Sequence, residues 1–236
     1  MARQGTHTLD RINVAIDGPA GAGKSTVARM VAQELSYIYV DTGAMYRAVT
    51  WYMLRKGIKP EDHDNVLQTV RNMVIELIPG KDTQSVMING EDATPHIRTL
   101  QVSGMVSQYA KVECIRTRLS QLQREMALAK GVVMDGRDIG TTVLPDAEVK
   151  IFMTATVEER ALRRYKELKD KEQVSLKQLE NDIAQRDFLD QNREISPLRR
   201  AEDSVLLDTT SMDILQVVET IVSHCRSYAR GERNHL

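Results

Sequence analysis

The chain has 236 residues, 42% of them hydrophobic and 28% charged, which excludes a disordered chain and fits one large domain or one domain carrying insertions. Its 32 Lys and Arg against 33 Asp and Glu leave a net charge of −1, so no global basic field exists to hold nucleic acid or a membrane surface. Two distant cysteines (Cys114 and Cys225), five histidines without ligand spacing, a polar start and no apolar run near ~18 residues predict a cytoplasmic protein with reduced, buried cysteines and no histidine or cysteine metal site.

Residues 12–16 read as a buried strand running into Asp17 and a glycine-rich turn. The spacing of Val27, Met30, Val31 and Leu35 predicts a helix, and residues 37–40 a second strand. Met45, Ala48, Val49, Tyr52 and Met53 mark one face of a helix that stops at Gly57. This alternation predicts an α/β fold. The rhythm breaks in the middle of the chain. A helical stretch at 65–73 precedes two apolar runs, 74–78 and 85–88, and Asn89-Gly90 favours a type I′ turn, so a small antiparallel hairpin is expected as an insertion. Ile115, Leu119, Leu122 and Met126 give the next helix, closed by Gly131. Residues 132–135, 149–153 and 204–208 then complete a five-stranded parallel sheet flanked by helices. Thr156-x-x-Glu159 and Ser175-x-x-Gln178 read as capping boxes opening two charged helices. A last helix runs from near Ser211 through Cys225, and the tail beyond Tyr228 is expected to fray.

Gly18-Pro19-Ala20-Gly21-Ala22-Gly23-Lys24-Ser25 matches the phosphate-loop (P-loop) pattern G-x-x-x-x-G-K-[ST] in full, between a strand and a helix. Its glycines let backbone N–H groups converge on phosphate oxygens, and the helix that opens through Lys24, Ser25 and Thr26 aims its positive end at them. Lys24 suits the β- and γ-phosphates of ATP, and the Ser25 hydroxyl suits Mg²⁺. Asp41-Thr42-Gly43-Ala44-Met45-Tyr46-Arg47 leaves two readings open: a capped helix start with a surface arginine, or a hydroxyl and a guanidinium holding a second phosphate. Asp135-Gly136-Arg137-Asp138 ends a strand, where Asp135 suits a Mg²⁺-bound water and Arg137 a phosphate; a local Arg–Asp pair is the other reading. Arg186, Asp190 and Arg193 share one helix face, and Arg160, Arg163 and Arg164 cluster on the helix before. Such runs are either solvated faces or a lid that brings cations over the transferring phosphoryl group, with Lys24, Arg160 and Arg164 as the catalytic cations.

Taken together, DGPAGAGKS, DTGAMYR, DGRDIGT and the run from Arg186 to Arg193 resemble bacterial cytidylate kinase over nearly the whole chain. The resemblance implies a P-loop core at 10–62, 112–155 and 196–229, a nucleotide-binding insertion at 63–111 and a helical lid at 156–195. It implies Mg²⁺-dependent transfer from ATP to CMP or dCMP, by a monomer. Thr42, Arg47, Arg137 and Arg193 would hold the acceptor phosphate, Ser107, Arg116 and Asp138 would read cytosine, and Arg186 and Asp190 would contact the sugar. Ser25 and Asp135 would hold the metal, Asp135 through water. Position 42 is Thr where some relatives carry Ser, and position 25 is Ser where others carry Gly. Other small-molecule kinases share the scaffold. A GTPase-like switch lacks its Asn-Lys-x-Asp segment here, and a nucleic-acid module lacks a basic or aromatic surface.

Overall fold

β1 (Asn13–Asp17) is buried along its whole length, with Val14 and Ile16 in one hydrophobic layer and Ala15 in the other, the two-residue period of a strand covered on both faces. In the computed structural model, which describes residues 11–80, 84–169 and 173–231, β1 leads through the glycine loop into α1 (Lys24–Leu35), β2 (Ile38–Asp41) and α2 (Thr42–Lys56). Then come α3 (His63–Arg71), β3 (Ile75–Ile78), β4 (Ser85–Ile88), β5 (Glu91–Asp92), α4 (Leu100–Tyr109) and α5 (Glu113–Ala127). The chain returns as β6 (Val132–Gly136), a π-helical turn (Ile139–Val143) and β7 (Val149–Thr154), and continues with α6 (Val157–Leu168), α7 (Leu176–Asn192), β8 (Val205–Asp208) and α8 (Ile214–Ala229).

The main sheet has the order β2-β6-β1-β7-β8, and every neighbouring pair runs parallel. Val27, Val31, Val218 and Ile221, from α1 and α8, pack with Val14, Ile16 and Val133 on one face. Met45, Ala48, Met53, Ile115 and Leu119, from α2 and α5, pack with Ala15, Val132 and Met134 on the other. A third, separate cluster of Ala161, Leu168, Leu179 and Ile183 joins α6 to α7.

The Asn89-Gly90 turn has φ of 51° and 78°, the two positive values a type I′ turn needs, but it joins β4 to a short third strand, so the insertion is a three-stranded β3-β4-β5 sheet. Thr156 and Ser175 each accept the backbone N–H three residues on, which makes them N-caps. The reciprocal box forms instead at Asp213 and Gln216, while Glu159 is engaged by Arg163. Helix α4 carries Val102, Val106 and Tyr109 inward, a pattern diluted in sequence by Ser103, Gly104 and Gln108. Cys225 is buried as expected, whereas Cys114 is only half-buried. Of the expected frayed tail, residues 232–236 lie outside the described residues.

Gly18 leaves β1 at φ 151°, and a Cβ there would lie 2.0 Å from the Met153 carbonyl oxygen of β7. Gly23, at φ 82°, opens onto free space. Gly18→Ala is therefore expected to cost about 2–4 kcal/mol and to lower Tm by roughly 5–15 °C. Gly23→Ala carries only backbone strain, about 1–2 kcal/mol, and should shift Tm less. Equal shifts in thermal unfolding would contradict the close approach.

Candidate active site

Register sets Asp41 beside Asp135 and Asp17 beside Gly136. The carboxyl ends of β1, β2 and β6 thus bring three motifs that are far apart in sequence to one crevice, where open α/β sheets bind ligands.

Gly18, Gly21 and Gly23 all adopt positive φ, which turns the loop at the head of α1. No side chain caps α1 and its first turn holds no acid, so its leading N–H donors face the loop. Lys24 is only 5% exposed, and its Nζ donates to the Pro19 carbonyl at 2.7 Å. Burial, followed by the charges of Arg137 and Arg186, pushes its amine well below the usual lysine range against the pull of Asp135.

Ser25 Oγ donates to Asp135 Oδ2 at 2.9 Å, and the Tyr39 hydroxyl donates to Oδ1 at 2.9 Å. Thr42 Oγ1 donates to the Asp135 backbone carbonyl at 2.6 Å. Burial and the neighbouring Asp41 raise the Asp135 carboxyl to about 6, so its negative charge is under-compensated by the protein alone. Oxygen-only groups around the buried Asp135 at the end of a P-loop suit a hard divalent cation such as Mg²⁺. Asp41 caps α2 through the Ala44 N–H, with Arg47 3.6 Å and Arg98 3.8 Å from its carboxylate.

Arg116 on α5 and Arg193 at the end of α7 grip Asp138 at 2.5 and 3.2 Å. Ser107 and Arg137 both donate to Asp190, at 3.2 and 2.9 Å. Burial favours the neutral acid, yet Arg137, Arg186 and Arg193 hold Asp190 below the usual carboxylate range. Burial and the charge of Arg137 lower the Arg186 guanidinium to about 10. The Nε atoms of Arg47 and Arg186 are buried without a hydrogen-bond partner.

Thr42, Arg47, Ser107, Arg116, Arg137, Asp138, Arg186 and Asp190 thus converge with the loop. Three of the expected residues have partners of their own. Arg193 lies on Asp138 beside Arg116. Arg160 donates to the backbone of Ala20 and Ala155 and to Asp187. Arg164 pairs with Glu167 on the half-exposed side of α6. Helical spacing alone could not say which face of α6 meets the loop. Four further residues belong to the arrangement: Asp17, Tyr39, Tyr46 and Asp187. Tyr46 carried a signal, since it stands next to Arg47, and its ring centroid lies 5.3 Å from the Arg116 guanidinium.

The cytidylate kinase family model matches residues 14–227. A cytidylate kinase of Bacillus cereus is 53% identical over 214 residues, which cover 90% of this chain and 95% of the relative. One of Bacillus thuringiensis is 53% identical over 213 residues with the same coverage. Among solved structures, an uncharacterized protein from Eubacterium ventriosum has a TM-score of 0.51 at 14% identity, covering 92% of this chain and 99% of that one, a likeness of fold alone.

Asp17 supplies a test of the crevice floor. Its carboxylate accepts the N–H groups of Ile139 and Gly140 at 2.8 and 2.7 Å, yet burial raises it to about 6. A carboxyl raised in the folded state stabilises fully below its unfolded value, and that contribution is lost as pH rises through about 6. Comparing denaturation of the wild type and Asp17→Asn from pH 4 to 7.5, the wild type should lose on the order of 3 kcal/mol relative to the variant. A difference independent of pH would contradict the raised carboxyl.

Proposed function

The chain belongs to the cytidylate kinase family, and on that premise we propose that it transfers the γ-phosphate of ATP to CMP or dCMP, yielding ADP and CDP or dCDP. The observation that supports the site assignment is the crowding of Lys24, Arg47, Arg137 and Arg186 in one crevice, where burial first and then repulsion from neighbouring cations weaken the hold of Lys24 and Arg186 on their protons. Two polyanionic substrates relieve that repulsion.

In this reading residues 18–26 cradle the ATP phosphates, and Lys24 spans the β- and γ-groups. Ser25 and Asp135 hold Mg²⁺, Asp135 through water; when bound, the ion neutralises charge on those phosphates. Thr42, Arg47 and Arg137 hold the CMP phosphate in line with the γ-phosphorus. That phosphate oxygen is already ionised, so the chain needs no general base, and positioning with charge neutralisation carries the rate. Arg186 and Asp190 lie by the sugar. Cytosine presents an N4 donor beside N3 and O2 acceptors: Asp138, fixed by Arg116 and Arg193, accepts from N4, while Arg116, and Ser107 once its hydroxyl turns from Asp190, donate to the ring. Uracil would oppose acceptor to acceptor at that carboxylate.

The proposal divides the chain into a core at 10–62, 112–155 and 196–229, an acceptor-binding insertion at 63–111 and a lid at 156–195. A monomer is expected from the family resemblance, and the free cysteines Cys114 and Cys225 suit the cytoplasm.

An ADP-release assay with ATP and a panel of acceptors tests this. CMP and dCMP should be turned over, with kcat/KM for UMP lower by roughly 10⁴-fold; comparable values for CMP and UMP would contradict the base assignment. Arg47→Ala should raise KM for CMP by about 30-fold or more, corresponding to 2 kcal/mol upward for a desolvated charge pair. An unchanged KM would remove Arg47 from the acceptor site.

A further inference from the structure

The backbone of Ala20, in the middle of the phosphate loop, is held in both polar directions by the lid. Its N–H donates to Asp187 Oδ1 at 3.0 Å, and its carbonyl accepts from Arg160 Nη1 at 2.8 Å. Arg160 and Asp187 also bond each other at 2.6 Å, and Arg160 Nε is fixed on the Ala155 carbonyl at 2.9 Å. Both side chains are under 10% exposed as residues, so these bonds are charge-assisted and shielded from water. Arg160 comes from α6 and Asp187 from α7. One loop residue is therefore gripped by both lid helices at once.

The next residue shows how closely the surfaces meet. A Cβ added to Gly21 would stand 3.3 Å from Arg160 Cβ and 3.5 Å from Ile183 Cδ1. Gly21 and Gly23, at φ 74° and 82°, offer the loop little stiffness of their own. Its course from Ala20 to Lys24 is then set by its anchors. Lys24 ties the loop to itself through Pro19, and the Arg160–Asp187 pair ties it to the lid. Helix α7 also carries Arg186 and Asp190, so the element that holds the donor loop also presents charges on the acceptor side.

We infer that Arg160 and Asp187 are positioning residues for the donor nucleotide, fixing Ala20 so that the loop after it meets the triphosphate in register. The inference rests on the kinase reading above. Neither side chain touches reacting atoms in it, and both act through the loop backbone.

The test uses the full chain. Calorimetry measures Kd for a non-hydrolysable ATP analogue with Mg²⁺ and, separately, for CMP alone, and steady-state assays give KM for each. Asp187→Asn should weaken the ATP analogue by about tenfold or more, the loss of a charge-assisted contact, and raise KM for ATP in step, while Kd for CMP stays within about twofold. Arg160→Lys keeps the charge but not the two-acceptor fork and should weaken the analogue by about threefold. It decides the matter by the same criteria if Asp187→Asn fails to fold. Unchanged analogue binding would overturn the inference. So would equal weakening of both ligands with a lowered Tm, the mark of a purely structural pair. Tighter analogue binding would overturn it too, since Asp187 would then occupy ground the nucleotide must take. If the kinase reading itself fails, the wild type will bind no CMP, a result separate from the donor titration.

Discussion

Lys24, Arg47, Arg137 and Arg186 stand together at the carboxyl ends of the strands against their own repulsion. Burial weakens the hold of Lys24 and Arg186 on their protons, and each like-charge neighbour weakens it further. Aspartates offset part of this. Asp41 faces Arg47 and Arg98, and Asp190 takes Arg137 while feeling Arg186 and Arg193. The balance stays incomplete, with buried Nε atoms of Arg47 and Arg186 lacking acceptors. Such an arrangement costs the isolated chain stability and favours a chain that holds phosphates.

The fold can be read as the frame that keeps those charges apart yet converging. Parallel register places Asp17, Asp41 and Asp135 on adjacent strand ends, and two hydrophobic layers lock the sheet from both faces. Helices α6 and α7 share their own small apolar cluster, and the polar contacts of Arg160 and Asp187 with Ala20 join them to the phosphate loop. The groups proposed to read the base are stiffened in the same way. Asp138, between Arg116 and Arg193, has both oxygens committed and so presents a fixed acceptor direction.

Local chemistry was the legible part of the sequence. The phosphate loop announces itself within eight residues, and strand–helix alternation was enough for the five-stranded parallel sheet. Asn89-Gly90 gave the right turn, although β5, with two residues, was too short to be seen as a strand. The π-helical turn left no period to read, because its course depends on Asp17, 122 and 123 residues away, accepting the N–H groups of Ile139 and Gly140. Arg160, Arg164 and Arg193 show the harder limit. Arg160 and Arg164 lie on charged α6 and Arg193 is the extended residue that caps α7, and only tertiary packing decides that one holds a loop backbone, one meets Glu167 and one reaches Asp138. Asp187 was invisible for the same reason, since its partners are a loop backbone amide and an arginine 27 residues away.

Whether one set of cations serves two phosphate chains can be read by titrating a single molecule that joins adenosine to cytidine through five phosphates. One molecule should bind per chain, at least about tenfold tighter than ATP or CMP alone because both halves share one crevice, and both ATP and CMP should displace it. Displacement by only one of the two nucleotides, or affinity no better than that of its stronger half, would mean that the cations of this crevice serve a single phosphate chain.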